Sequence, residues 1–364
     1  MHKVAIVILN WNGSAMMRKY LPSVIENSYG DVIVADNAST DDSIEMLKTD
    51  FPSVRTIILD DNYGFAGGYN KALAQLPEYE YYVLLNSDVR ITQKDWDKVL
   101  TDYMDAHPEC AACQPKLLDL KVLESYEGGN HSDSNNTPAT AEGEKMEYFE
   151  YAGASGGFLD QYGYPFCRGR ILGTVEEDKG QYDDVCSVLW ATGAALLVRA
   201  SDWRESGGLD ERFFAHMEEI DLCWRLRTMG KDIVCIPQST AYHLGGATLN
   251  QGNPRKTFLN FRNNLLMLYK NLPQEELHNV MFVRAILDYV AALQFLAKFD
   301  LGNFKAVFKA RRSFYKMKST YKPIRKALLQ KRKTGHVPER YDISIIWQYY
   351  AKGAKTFDKL NLTK

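Results

Sequence analysis

The apolar positions of this chain change period along its length. VAIVIL (residues 4–9) is a short unbroken apolar run, the mark of a strand buried on both faces. Residues 14–27 then repeat at helical spacing through Met17, Leu21, Val24 and Ile25. DVIVAD (31–36) reads as a second strand. Ser39-Thr40-Asp41-Asp42 starts a helix, with acids where the dipole favours them, and IEMLKTDF continues it. RTIILD (55–60) and YYVLLNSD (81–88) are a third and a fourth strand. SVLWATGAALLVRA (187–200) and KDIVCIP (231–237) return to strand character, and from residue 257 the pattern is helical. This order predicts an α/β fold with a mostly parallel central sheet, helices on both faces, and a C-terminal helical extension.

In such sheets ligands bind beyond the carboxyl ends of the strands. Here those ends are polar: Asn10-Trp11-Asn12-Gly13 after the first, Asp36-Asn37 after the second, Asn62 through Asn70 after the third, Asn86-Ser87-Asp88 after the fourth. One polar strand end is usually a turn or a cap; four together read as the rim of a site. Asp36 can accept from a base N–H or a ribose hydroxyl, and Asn12 and Asn37 can pair with amide-like edges. Gly64, Gly67 and Gly68 open a helix where backbone could approach a phosphate. The chain lacks a Gly-Lys-Ser/Thr phosphate loop and a spaced Gly-x-Gly-x-x-Gly, against ATPase and dinucleotide readings.

Residues 119–185 look like a looser insert, rich in Gly, Ser, Asn and acids and then aromatic. Within it Arg168 and Arg170 are candidates for an acceptor phosphate. The stretch FFAHMEEIDLCWR (213–225) sets three carboxylates among apolar side chains. Glu218 and Asp221 share one helix face, and Asp221 stands four before Arg225.

Together these blocks resemble family 2 glycosyltransferases of the GT-A fold, with the rhamnosyltransferase-like and galactofuranosyltransferase-like bacterial enzymes as the nearest subgroup. The resemblance covers roughly residues 3–270 and rests on the order of five blocks. It implies a catalytic domain over 1–270, with 271–364 as a basic helical region. It also implies an inverting transfer from a nucleoside diphosphate sugar, dTDP-rhamnose first and UDP-sugars next, to a hydroxyl of a glycan. That glycan would be lipid-linked, in cell-surface polysaccharide synthesis.

The same resemblance assigns roles. Asn10, Asn12, Asp36, Asn37, Asn62, Gly67, Asn70, Asn86 and Ser87 would line the donor nucleotide site. The family's metal-binding Asp-x-Asp is here Asn86-Ser87-Asp88, so Asp88 is the one carboxylate ligand left and Asn86 contacts ribose or a metal-bound water. His243, 24 residues past Glu219, is the candidate second ligand for Mn²⁺ or Mg²⁺; a purely structural histidine is the other reading. Glu219 maps to the catalytic base, where Asp is commoner, and Glu218 to a sugar or acceptor contact; the two could exchange roles. Trp190, Thr192 and Gly193 would floor the sugar site, or belong to a plain core strand. Asp221 would be a substrate-side or supporting group.

Charge adds one thing to this picture. The net charge of −2 conceals an acidic body and a tail, residues 255–364, with 23 Lys and Arg against seven acids. Between Asn303 and Lys333 there are 12 basic residues and no acid, interleaved with aromatics. A basic amphipathic helix of this kind suits an anionic membrane surface, with nucleic acid the disfavoured partner. Packing on the body or in a homo-oligomer is the alternative. MHKVAIVILNWN shows no cleavage signal, and the most apolar stretch, 280–299, is broken by Arg284, Asp288 and Lys298. The expectation is therefore a cytoplasmic protein on the inner face of the membrane. Six scattered cysteines fit free thiols better than a zinc site. A nucleotidyltransferase would show a Gly-rich Arg/Lys signature after the first strand, which is absent. A non-catalytic nucleotide- or glycan-binding relative is the alternative, supported by Asn86 and Glu219.

Overall fold

A computed structural model describes residues 2–127, 146–245, 252–360 and 362. Its centre is a nine-stranded sheet. In chain order the strands are β1 (Val4–Asn10), β2 (Asp31–Asp36), β3 (Arg55–Ile58), β4 (Tyr81–Leu85), β5 (Val89–Arg90), β6 (Cys110–Asp119), β7 (Cys186–Ser187), β8 (Ala195–Arg199) and β9 (Asp232–His243). Across the sheet they run β7-β9-β6-β8-β4-β1-β2-β3, with β5 also on β9. The pairs β3–β2, β2–β1, β1–β4 and β6–β9 are parallel; β8 lies antiparallel between the two blocks.

Side chains alternate across the pleat, so each strand feeds two cores. Val4, Ile6 and Ile8 pack with Met17, Leu21 and Val24 of α1 (Ser14–Asn27), Met46 and Leu47 of α2 (Ser43–Asp50), and Trp96, Leu100 and Met104 of α4 (Trp96–Ala106). Ala5 and Val7 face the other core, with α3 (Gly64–Leu73), α7 (Glu218–Thr228) and α8 (Pro254–Asn271). Helices thus cover both faces, as the alternation of strand and helix predicts.

Several boundaries differ from expectation for physical reasons. The fourth strand stops at Leu85, because Asn86-Ser87-Asp88 turns away from the ladder. The 187–200 run divides into β7 and β8, as Gly193 and Ala194 form a turn between them. β9 continues past Pro237 to His243 through a register shift, which carries the histidine to the sheet's rim. Part of the insert, 128–145, lies outside the described residues. The rest is no loose flap: Gly157–Asp160, Pro165–Cys167, Arg170–Ile171 and Thr174–Val175 form a small sheet, joined by Arg340–Tyr341 from near the C-terminus. α10 (Leu301–Lys331) packs against α8, burying Val307, Phe314 and Tyr321. Those side chains of the basic tail therefore serve the protein's own core. All six cysteines are free thiols.

Candidate active site

The sequence-predicted residues divide into those left at the rim and those used as scaffold. At the end of β1, Asn10 is buried and donates Nδ2 to Asp36 Oδ2 at 2.9 Å and to Ser39 Oγ at 3.2 Å. Its Oδ1 has no partner, an unmet acceptor in a buried place. Asp36 Oδ1 in turn accepts from Ser39 N at 2.8 Å. Asn12 stands in the left-handed region, φ 51°. Its Oδ1 accepts from Thr40 N at 2.7 Å, while its Nδ2 bonds no protein group among the described residues. Gly13 lies against Asn10, and Ser87 Oγ is the next neighbour. The ends of β1, β2 and β4 therefore meet in one polar rim.

Beyond the third strand the polar residues do a different job. Asn37 bonds Asn62 Oδ1 at 3.1 Å and Gly64 O at 3.0 Å, and receives Tyr63 N at 3.1 Å. Asn70 clamps Leu209 in both directions, at 2.8 and 3.0 Å. The Gly-rich start of α3 is no phosphate cradle. Its Phe65 and Ala66 amides already donate to Phe214 O, and a Cβ on Gly67 or Gly68 would meet Tyr63 or Leu9. Asn37, Asn62, Gly67 and Asn70 are thus corrected from donor-nucleotide contacts to scaffold.

At the β4 end, Asp88 and His243 come together from residues 155 apart in sequence. Asp88 Oδ1 is 3.1 Å from His243 Nε2, and Asn86 Nδ2 is 3.2 Å from the same nitrogen. Sequence reasoning missed the partner on the other side. Buried Glu150 sets Oε1 3.2 Å from His243 Nδ1, off the line of a good hydrogen bond, while its Oε2 accepts from the Ala152 and Gly153 amides. Glu150 lies on the aromatic insert, and nothing in its local sequence marks it. Burial works against a charged His243, but the flanking carboxylates Glu150 and Asp88 outweigh it and lift the imidazole to about 10. Burial likewise opposes the Asp88 carboxylate, yet its hydrogen bond to His243 holds it below the ordinary value.

The arrangement fits a divalent cation. Asp88 Oδ1 and His243 Nε2, 3.1 Å apart, are close enough for one hard divalent cation to be held by both. A histidine whose far nitrogen faces a carboxylate is the usual setting of a metal-bound imidazole. Among the described residues no third protein ligand joins them.

The acids sit at the start of α7, reached through a strained turn: Phe214, His216 and Met217 all have positive φ, between 67° and 73°. α8 holds that turn, since Asn263 Nδ2 bonds the carbonyls of Phe213, Ala215 and His216 at 2.8–3.0 Å. Glu218 Oε2 and Glu219 Oε2 have no hydrogen-bond partner. Burial pushes Glu219 up to about 7. Burial, with the Glu219 charge beside it, pushes the more enclosed Glu218 well above its ordinary range. Gly193 lies between Phe65 and the Cβ of Glu219, and the neighbouring Ala194 carbonyl accepts from Asn86 N at 3.0 Å, so this rim joins the acids to the β4 end. His216 is a second residue the sequence reading passed over. Burial and Lys256 lower it to about 4, and its Nε2 has no partner.

Other candidates belong to the core. Trp190 donates Nε1 to Phe158 O at 3.0 Å and packs on Gly157, so it cannot stack on a sugar. Thr192 is buried and bonded to Gln114. Asp221 is wholly enclosed, bonded to Arg225 at 3.0 Å, Lys270 at 2.7 Å and Asn271 at 2.8 Å; it supports the fold and does not face substrate. Arg168 is taken up by Asp184 and by the Ser155, Tyr182 and Asp184 carbonyls, and Arg170 is buried against Cys167 and Tyr151. Neither is presented to an acceptor phosphate.

A mixed sheet with a polar rim, a carboxylate–imidazole pair and an acid pair beyond its strand ends has the GT-A arrangement. Residues 5–159 match the family model described as glycosyl transferase family 2. Over 222 residues it is 27% identical to N-acetylglucosaminyl-diphospho-decaprenol L-rhamnosyltransferase of Mycobacterium tuberculosis, a match covering 58% of this chain and 66% of that protein. The match thus spans just under two thirds of that relative. Over 54 residues, 15% of this chain and 20% of the other, it is 39% identical to the rhamnosyltransferase WbbL of Escherichia coli. Among solved structures, a fragment of S. aureus TarS in complex with UDP-GlcNAc aligns at a TM-score of 0.49 and 12% identity, over 94% of this chain and 95% of that one.

Proposed function

We propose that this chain is an inverting glycosyltransferase that moves one sugar from a nucleoside diphosphate sugar to a hydroxyl of a lipid-linked glycan at the inner face of the membrane. The observation that carries this reading is the pair of unpartnered Glu218 and Glu219 oxygens on the rim that runs to Asp88 and His243. dTDP-rhamnose is the favoured donor and a UDP-sugar the next, because two relatives are named as rhamnosyltransferases. The name of one of them also specifies a diphosphate-linked polyprenol acceptor.

Each group then has a chemical task. Asn10 and Asp36, with Asn12 beside them, offer acceptors and a donor to the base and ribose. Glu219, near 7, takes the proton of the acceptor hydroxyl as its oxygen attacks the anomeric carbon. Glu218, whose burial beside Glu219 favours the protonated carboxyl, donates a hydrogen bond to a sugar or acceptor oxygen. Asp88 and His243 would hold the divalent metal, with Glu150 orienting the imidazole. The metal, when bound, supplies the counter-charge that the departing diphosphate requires. His243 would have to give up its proton to serve as a ligand, so metal affinity would rise with pH.

The test is transfer itself. Purified protein, Mn²⁺ and dTDP-rhamnose or UDP-sugars are incubated with a polyprenyl-diphosphate-linked N-acetylglucosamine acceptor, and product is followed by mass spectrometry. Sugar added with one donor, and lost in Glu219→Gln and Asp88→Ala, sustains the proposal. Nucleotide binding without turnover under any metal would favour the non-catalytic binding reading instead.

A further inference from the structure

α9 (Gln274–Ala297) is turned inside out. Beyond its first turn, its two charged residues are Arg284 and Asp288, and both are buried. Arg284 bonds Tyr162 O at 3.0 Å and Asn264 of α8 at 2.6 Å, and Asp288 pairs with Arg284 at 3.1 Å and with Arg311 of α10 at 2.6 Å. The opposite face carries Phe282, Ile286, Val290 and Leu293 at helical spacing, and they are 50–63% exposed. Phe299, just past the helix, is 92% exposed. A scattered exposed apolar residue needs no explanation, but a continuous row along a helix whose polar groups point inward does.

The charge beside that row is of one sign. Lys298, Lys305, Lys309, Arg312 and Lys316 are exposed, and none has an ion-pair partner among the described residues. Arg311, Arg312 and Lys316 of α10 join Tyr289, Phe308 and Tyr315 around an open groove of about 500 Å³ between α9 and α10. Aromatic bodies with cationic heads are suited to the boundary between acyl chains and anionic headgroups. The 24-residue helix is long and apolar enough to cross a bilayer. Its midpoint, however, is bonded to α8 and α10 through Arg284 and Asp288, so it lies along a surface.

We propose that the outer face of α9 seats in a bilayer, and that the groove between α9 and α10 takes the phosphate headgroup of an anionic phospholipid. Charge complementarity selects this occupant: a second copy of the chain would bring the same unpaired cations against these. The purpose of the docking, holding the enzyme where its acceptor lies, rests on the transferase reading; the surface itself does not. It also moves the membrane contact from the buried apolar side of α10, where the tail's sequence had it, to α9.

Flotation with phosphatidylcholine vesicles, with and without 30% phosphatidylglycerol, tests it. The wild type should float with the anionic vesicles and at least tenfold less with the neutral ones. Phe282→Ser/Leu293→Glu should lower binding to anionic vesicles at least tenfold. Arg312→Glu/Lys316→Glu should abolish the preference for phosphatidylglycerol. All three proteins should melt alike and keep the same nucleotide-induced stabilisation in solution, which separates lost docking from lost folding. Absence of vesicle binding in the folded wild type would overturn the proposal. So would a wild-type dimer that the Phe282/Leu293 variant dissociates while vesicle binding persists, since a second copy would then cover the face. Vesicle binding with no transferase activity would sink the transferase reading and leave the docking face standing.

Discussion

Three acids lie within one turn of α7 and have opposite fates. Asp221 is enclosed and meets Arg225, Lys270 and Asn271. Glu218 is enclosed too and Glu219 is half-buried, yet each keeps a buried oxygen that nothing among the described residues satisfies. The first acid is compensated and can be read as architecture. The other two are held against their own electrostatics by a strained turn that α8 pins from behind, and that cost makes sense only if a substrate supplies the missing partners. Burial alone therefore does not separate a working carboxylate from a structural one; the partner count does.

The contrast can be broken from either side. The largest effect should come from Glu219→Gln, which removes the proton acceptor but keeps the shape: the turnover rate should fall by about 10²–10⁴-fold, while nucleotide-induced stabilisation, read by thermal shift, is kept. Asp221→Ala should do the reverse. It strands Lys270 and Arg225 in the core and should cost on the order of 3–5 kcal/mol, measured by urea unfolding. A smaller effect is expected at the neighbouring pair: Glu150→Gln should weaken Mn²⁺ binding by about 10–100-fold in calorimetry, because the imidazole loses the carboxylate that orients it.

The pH dependence sharpens the same comparison. Glu219 is raised from 4.5 to about 7 in the folded state. As pH climbs from 4.5 the unfolded chain ionises this group while the folded chain still holds its proton, so stability is lost across that window and stays lost above it. Activity moves the other way, gaining on its acid limb as Glu219 ionises near pH 7. In Glu219→Gln the loss of stability across this window should shrink. Its melting temperature at pH 8 should exceed the wild type's by about 1–2 °C for each kcal/mol relieved.

Much of this was legible in the chain. The unbroken apolar runs located β1, β2 and β4 because a strand buried on both faces has no other pattern. The polar strand ends marked the rim at Asn10, Asp36 and Asn86, and the acidic stretch marked α7. Trp190 misled because an aromatic beside small residues reads equally as a sugar platform or a packed core, and only the Phe158 carbonyl on its indole decides. The glycines of α3 misled similarly: the sequence shows that something comes close, and the fold shows that it is Leu9, Tyr63 and Phe214. Glu150 was invisible, since its meaning lies entirely in a histidine 93 residues away.

By itself, then, the sequence determined the alternation of strand and helix, the resemblance to a glycosyltransferase family, and the short list of side chains able to do chemistry. Those follow from local periodicity and residue type, which are properties of neighbours along the chain. The tertiary structure decided which of those side chains are spent on one another and which are left over. It used Asn37, Asn70 and Asp221 as ties, set Glu150 behind His243, turned the polar side of α9 inward, and left Glu218 and Glu219 unmatched. Hydrogen bonding and ion pairing depend on distances of about 3 Å between residues remote in sequence, and only the folded chain sets those distances.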